Sequence, residues 1–140
     1  MIKSRKILLI DDDENDNFIH QRAIRKAGSG DEVVIVTDGV LAMEYITGQL
    51  EKEGSGGSPP IDVIFLDINM PRMDGFEFLQ EYGMLKDSRK SKTIIIMLST
   101  SASPKDMEKA LCFEYVVEYI YKPLTVEKFR EIINKYFPNP

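Results

Sequence analysis

Five short apolar runs punctuate the chain, at residues 7–10, 33–36, 63–66, 94–98 and 116–120, the last with Glu118 and Tyr119 inside it. Most are continuous rather than alternating, which is the pattern of strands buried on both faces. Between them apolar residues recur at helical spacing: Phe18, Ile19, Ala23 and Ala27; Ala42, Met43, Ile46 and Leu50; Phe78, Leu79 and Tyr82; Met107, Ala110 and Leu111; Val126, Phe129, Ile132, Ile133 and Tyr136. Strand and helix therefore alternate five times. Ser103 ahead of Pro104, with Asp106 three residues on, reads as an N-cap with proline in the first turn, and Thr125 before Val126 and Glu127 starts the last helix in the same way. Such a chain packs as an α/β, doubly wound, five-stranded parallel sheet, because each crossover is right-handed and lies over one face of the sheet. Ligands of such sheets sit beyond the carboxyl ends of the strands.

Residues 48–60, with a Gly-Ser core at 54–58 followed by Pro59 and Pro60, have the composition of a linker. The part of the chain before them carries only two strands and too little core to fold alone. The stretch reads as a long loop between the second helix and the third strand, inside one domain spanning residues 1–140. After Tyr136 only Phe137, Pro138, Asn139 and Pro140 follow, so no output-type domain is expected.

Composition narrows the function classes. The chain has 140 residues, 18 Lys and Arg against 23 Asp and Glu, and a net charge of 18 − 23 = −5. A single cysteine, Cys112, makes no internal disulfide, which excludes a disulfide-stabilised secreted fold. The apolar runs are too short to span a bilayer, and the N-terminus passes from four apolar residues straight into Asp11, Asp12 and Asp13, so neither a membrane segment nor a secretory signal is expected. Without a basic tract, direct nucleic-acid binding is disfavoured. The expectation is a cytoplasmic protein that works with protein partners or small ligands.

The chemistry gathers at one edge of the predicted sheet. Strand one ends in Asp11-Asp12-Asp13, strand three in Asp67, strand four in Ser99-Thr100-Ser101, and strand five in Tyr121-Lys122-Pro123. Converging carboxylates repel each other, so they bind a cation or hold protons with raised pKa. Mg²⁺ suits them, since it takes one or two carboxylates and keeps places for water and a phosphate oxygen. A carboxylate beside that ion can act as nucleophile toward a phosphoryl group, with the metal and Lys122 offsetting the charge on its oxygens. Each feature also has a bland explanation. The aspartate triplet can be a solvated helix start favoured by the dipole, Asp67 can cap the turn that Asn69, Pro71, Asp74 and Gly75 form, and Ser99 can satisfy local backbone groups. His20 reads as a surface residue and Cys112 as a small buried apolar side chain. Phe113, Tyr115, Tyr119 and Tyr121 divide between core packing and an interaction surface.

Four motifs in order, ILLIDDD, VIFLDINMPRMDG, MLSTSAS and YIYKPL, give the chain an end-to-end resemblance to the receiver domain of bacterial two-component response regulators. The resemblance implies the flavodoxin-like receiver fold with strand order 2-1-3-4-5, and phosphorylation of Asp67 by a sensor histidine kinase. It implies Mg²⁺, or Mn²⁺, bound directly by Asp12 and largely through water by Asp11, with Asp67 and the backbone carbonyl of Asn69 completing the protein ligands. Asp13 then lies outside the acidic pair. Ser99 takes the position of the switch hydroxyl, Lys122 that of the site lysine, and Tyr119 that of the aromatic switch. Asn69 and Ser101 border the path of attacking water and so tune autodephosphorylation. The implied catalysis is confined to the domain's own phosphotransfer and autodephosphorylation; it is a signalling domain rather than an enzyme. Its output passes by protein contact or onward transfer to a histidine phosphotransfer protein, and a homodimer through the face of the fourth and fifth helices is a further expectation. The 48–60 stretch and the wording VTDGVLAMEYI are similar to the single-domain regulators found beside phytochromes and other sensor kinases.

Three rivals stay open on sequence. A small haloacid-dehalogenase-like phosphatase would use Asp11-Asp12-Asp13 as its Asp-x-Asp, with Ser99 and Lys122 as later motifs, but it lacks a downstream acidic pair and leaves Asp67 idle. A pseudo-receiver would bind partners without taking phosphate, although every site position is filled. A flavin-binding doubly wound protein needs a glycine- or hydroxyl-rich phosphate loop after strand one, where this chain instead has three carboxylates that would repel a nucleotide phosphate. The aspartate that becomes phosphorylated separates the receiver from the phosphatase: Asp67 in the former, Asp11 in the latter.

Overall fold

A computed structural model describes residues 4–28, 30–54, 60–85 and 92–138. Its elements follow the alternation read from the apolar pattern: β1 Lys6–Ile10, α1 Glu14–Lys26, β2 Glu32–Val36, α2 Gly39–Gly54, β3 Val63–Leu66, α3 Gly75–Met84, β4 Ile94–Ser99, α4 Pro104–Leu111, β5 Val116–Tyr121 and α5 Val126–Tyr136. The strands form one sheet in the order β2-β1-β3-β4-β5, every pair parallel. This is the order that the receiver resemblance implies.

Successive residues of a strand face opposite sides, so each apolar run feeds two cores. Leu8, Ile10, Ile64, Leu66, Ile95 and Met97 pack with Ile46 of α2 and Phe78 and Leu79 of α3. Ile7, Leu9, Val63, Phe65, Ile96 and Leu98 pack on the other side with Ile24 of α1 and Phe129 and Ile132 of α5. The register sets Ile10 beside Leu66 and Leu66 beside Met97, so the residues just past these strands come out level. Capping fixes the helix starts. Asp13, Asp74, Ser103 and Thr125 each accept a backbone N–H from the first turn of α1, α3, α4 and α5 respectively, and Asp74 and Glu77 close a reciprocal capping box.

Several expectations need correction. The loop anticipated over residues 48–60 begins later, because α2 continues to Gly54. Leu50 is buried one turn beyond Ile46, and Gln49 accepts a hydrogen bond from the Lys6 ammonium at 2.7 Å; both contacts reward continued helix. Residues 55–59 of that stretch lie outside the described residues. The edge strands β2 and β5 are only partly covered, and Ile35 of β2 stays exposed. On α1, Phe18 and Ile19 face solvent, 64% and 48% exposed, while Asn17, His20, Ala23 and Ile24 turn inward. Met107 and Leu111 of α4 are likewise exposed, leaving Ala110 as its buried position. Cys112 is an exposed C-cap, since α4 stops one residue earlier and the chain turns to pack Phe113 against the core. Phe113, Tyr115 and Tyr119 pack partly against the core, and Tyr121 faces solvent.

Candidate functional site

Strand pairing brings the predicted residues to one edge. Asp11 continues β1, donating its N–H to Val36 O, and Asp67 continues β3, donating its own to Ile10 O at 3.0 Å. One carboxylate oxygen from each of Asp11, Asp12 and Asp67 lies within 4.8 Å of the others. Asp11 and Asp67 are buried and Asp12 is exposed. Asp13, the second acid of a phosphatase-type Asp-x-Asp, does not join them, because its carboxylate caps α1 by accepting the Asp16 N–H. Oxygen donors converging on one point, two of them screened from bulk water, make a set fitted to a hard divalent cation.

From β5, Lys122 closes the group. Its backbone N–H donates to Ser99 O at 2.8 Å, and the following peptide, Lys122–Pro123, is cis. The buried ammonium donates to Asp11 Oδ2 at 2.7 Å and to Asp16 Oδ2 at 2.7 Å, and stands 3.5 Å from Asp67 Oδ2. Burial draws the lysine pKa down, but the bonds to Asp11 and Asp16 and the nearby carboxylate charges outweigh it, so Lys122 is held protonated well above its ordinary range. Asp67 moves the other way: burial, then the charge of Asp11, push its carboxyl up to about 6 against the pull of Lys122.

Around Asp67 the backbone approaches closely. Its Oδ1 accepts the Ile68 N–H at 2.9 Å, leaving Oδ2 toward Lys122. A Cβ on Gly75 would lie 2.4 Å from the Asp67 carbonyl oxygen, so the start of α3 can fold back on the site only at a residue without a side chain. In the turn between them Asn69 is exposed, and Arg72 adopts φ 65°, a left-handed conformation unusual for a residue with a Cβ. The Arg72 guanidinium donates twice to Asp38 Oδ2, at 3.1 and 2.7 Å, while Asp38 Oδ1 accepts the Leu41 N–H at the start of α2. The Leu41 N–H, then Arg72, hold the Asp38 carboxyl below the usual range.

Ser99 is fully buried, its Oγ accepting the Ser101 N–H at 3.0 Å. Ser101 in turn donates its hydroxyl to Asp106 Oδ2 at 2.6 Å, and its carbonyl accepts the Tyr119 hydroxyl at 2.9 Å. The expected switch hydroxyl, aromatic and flanking serine thus share one hydrogen-bonded chain that runs into the first turn of α4.

Sequence reasoning missed five participants. Asp16 and Asn17 sit in the first turn of α1, where acids and amides read as helix-start residues; in the fold Asp16 binds Lys122 and Asn17 Nδ2 donates to Asp11 O at 2.9 Å. His20, expected on the surface, is buried beside Leu9, Phe65, Asp11 and Asp67, and its pKa is lowered by burial and by the Lys122 charge. It takes the inward position because Asn17, one turn earlier, is tied to the end of β1. Asp38 and Arg72 are far apart in sequence, and nothing in either segment announces their pairing.

Comparison with known proteins agrees with this geometry. Residues 7–134 match the family described as the response regulator receiver domain. A two-component response regulator from Cytophaga hutchinsonii has a similar structure, with TM-score 0.84 and 32% identity over 98% of this chain and 99% of that one. Response regulator Rcp1 of Synechocystis is 32% identical over 72% of this chain and 65% of its own length; its Mn²⁺-bound structure has TM-score 0.73 and 27% identity, covering 96% and 95% of the two chains. Hybrid signal transduction histidine kinase L of Dictyostelium discoideum is 30% identical over 96% of this chain, which spans only 7% of that protein. Among the described residues no helix is long and apolar enough to cross a membrane.

Proposed function

We propose that this chain, which belongs to the family of response regulator receiver domains, takes a phosphoryl group from a sensor histidine kinase onto Asp67 and signals through a changed surface. The observation that carries the reading is the convergence of three carboxylates on one point with the Lys122 ammonium 3.5 Å from Asp67 Oδ2. An Asp67 oxygen attacks the phosphorus of phosphohistidine in line; the O–P bond forms as the N–P bond breaks, and the departing imidazole takes up a proton. Asp11, Asp12, Asp67 and the Asn69 backbone carbonyl would hold Mg²⁺ or Mn²⁺, which would supply positive charge to offset the repulsion between the carboxylates and the incoming phosphoryl group. Lys122 donates to a phosphoryl oxygen from its fixed position.

The added charge also draws the Ser99 hydroxyl. Ser99 Oγ accepts the Ser101 N–H and keeps its own O–H to donate to a phosphoryl oxygen. Its movement toward that group therefore pulls on Ser101, whose carbonyl bond to Tyr119 carries the rearrangement to the surface of α4, β5 and α5. Asn69 and Ser101 tune the rate at which water removes the phosphoryl group. Ser101 does so as the partner of Asp106 rather than as a free side chain. The kinase, a histidine phosphotransfer protein and a second copy meeting the α4–α5 face are the partners this reading supplies.

The test is intact mass after incubation with acetyl phosphate and Mg²⁺, beside Asp67→Asn and a metal-free control. One added phosphoryl group that requires both the metal and Asp67 is the expected result. Labelling that persists in Asp67→Asn and moves to Asp11 overturns it in favour of phosphatase-type chemistry.

A further inference from the structure

Lys122 carries three N–H donors and meets three carboxylates, yet one of them stands apart from the cation-fitted group. Asp11 and Asp67 belong to the trio that converges within 4.8 Å. Asp16 does not, although its Oδ2 lies as close to the ammonium as that of Asp11, at 2.7 Å. Its carboxylate comes from α1 rather than from a strand end. That helix is tied to the site by the Asp13 cap and by the bond from Asn17 to the Asp11 carbonyl.

The consequence is a division of charge. When a divalent cation draws on Asp11 and Asp67, the buried ammonium loses much of its attraction to both and is repelled by the ion itself. Asp16, outside the trio, then remains as an anionic partner, and the third N–H stays free to meet the group on Asp67.

We propose that Asp16 is a positioning residue that holds Lys122 at the phosphoacceptor once the other carboxylates are committed to the cation. The inference rests on the phosphoacceptor reading of Asp67 and adds to it a residue from the first turn of α1.

The experiment follows the rate of acetyl phosphate labelling at saturating Mg²⁺ by intact mass, in wild type, Asp16→Asn, Asp16→Glu, Lys122→Gln and the Asp16→Asn/Lys122→Gln double variant. Loss of one charge-assisted bond to Lys122 is expected to slow labelling of Asp16→Asn by about tenfold. Asp16→Glu recovers part of the rate, and Asp16→Asn adds nothing in the Lys122→Gln background, because the two residues act as one unit. Thermal melts of the variants separate this from unfolding, and Asp16→Glu keeps the test open if Asp16→Asn does not fold. A wild-type rate in Asp16→Asn overturns the inference, as does a faster one, which makes Asp16 a restraint on Lys122. An equal loss with and without Lys122 overturns it too. A wild type that neither acetyl phosphate nor phosphoramidate labels overturns the phosphoacceptor reading itself, and that failure is visible before any variant is compared.

Discussion

At the scale of single residues, the site is a set of charges forced together by backbone pairing. Asp67 shows the cost. Its carboxyl, pushed up from an ordinary 3.8 to about 6 by burial and by Asp11, binds its proton more tightly folded than unfolded. The associated stabilisation is present in full below about pH 3.8 and is lost as pH rises through about 6. Metal-free Asp67→Asn, uncharged at every pH, is therefore expected to be more stable than wild type at pH 7.5, by at most about 3 kcal/mol at about 1.4 kcal/mol per pKa unit and by less as solvent screens the site. The difference closes as pH falls toward 4. Urea denaturation in EDTA at several pH values checks this, and a gap that does not change with pH contradicts it. Asp67 is legible in the sequence as a candidate for chemistry, as an aspartate directly after four apolar residues. That Asp16 shares Lys122 with Asp11 is not legible there, since Asp16 and Lys122 lie 106 positions apart and only the docking of α1 brings them together.

At the scale of elements, the apolar pattern predicts which segments are helical better than which face they bury. Helix α1 has two competing stripes. Phe18 and Ile19 are the more apolar, yet the helix turns Asn17, His20, Ala23 and Ile24 inward, because the Asn17 bond to the Asp11 carbonyl fixes its rotation. Phe18→Ser is accordingly expected to change stability by no more than about 0.5 kcal/mol, as a surface substitution does. Ile24→Ala, emptying a site that is 2% exposed, is expected to cost about 2–4 kcal/mol. Chemical denaturation of the two variants decides between the faces, and the reverse ranking restores the Phe18 stripe as the buried one. Helix α2 teaches a related lesson. The glycine-rich composition after residue 48 suggests a loop, but Leu50 and Gln49 find buried partners and carry the helix to Gly54. Tertiary contact outweighs local propensity there.

At the scale of the whole molecule, the sheet order and register make the site. Asp11, Asp67, Ser99 and Lys122 come from four strand ends, and they meet because β1, β3, β4 and β5 are neighbours, β4 and β5 after a register shift between Ile95 and Ile96 that sets Ser99 beside Tyr121. A cation bound by the carboxylates joins these strands and relieves their repulsion, so it stabilises the native state in proportion to its occupancy. Mg²⁺ at about a hundred times its dissociation constant is expected to add about 2.7 kcal/mol, seen as a rise in melting temperature that Asp12→Asn largely abolishes. An equal rise in both proteins places the ion elsewhere. The sequence by itself determined the alternation of strand and helix, the parallel sheet, the edge that carries the chemistry, and the identity of Asp67, Asp11, Asp12, Ser99 and Lys122 as its candidates. The alternation, the sheet and its edge follow from periodicity and from polar residues at strand ends, both local properties of the chain, whereas the choice of Asp11 and Asp12 over Asp13 and of Ser99 over its neighbours follows from the resemblance of the motifs to receiver domains. Tertiary structure alone decided the rotation of α1, the burial of His20, the pairing of Asp38 with Arg72 and the sharing of Lys122 between Asp11 and Asp16. Each of these depends on contacts between segments distant in sequence, whose geometry exists only once the helices have docked on the sheet.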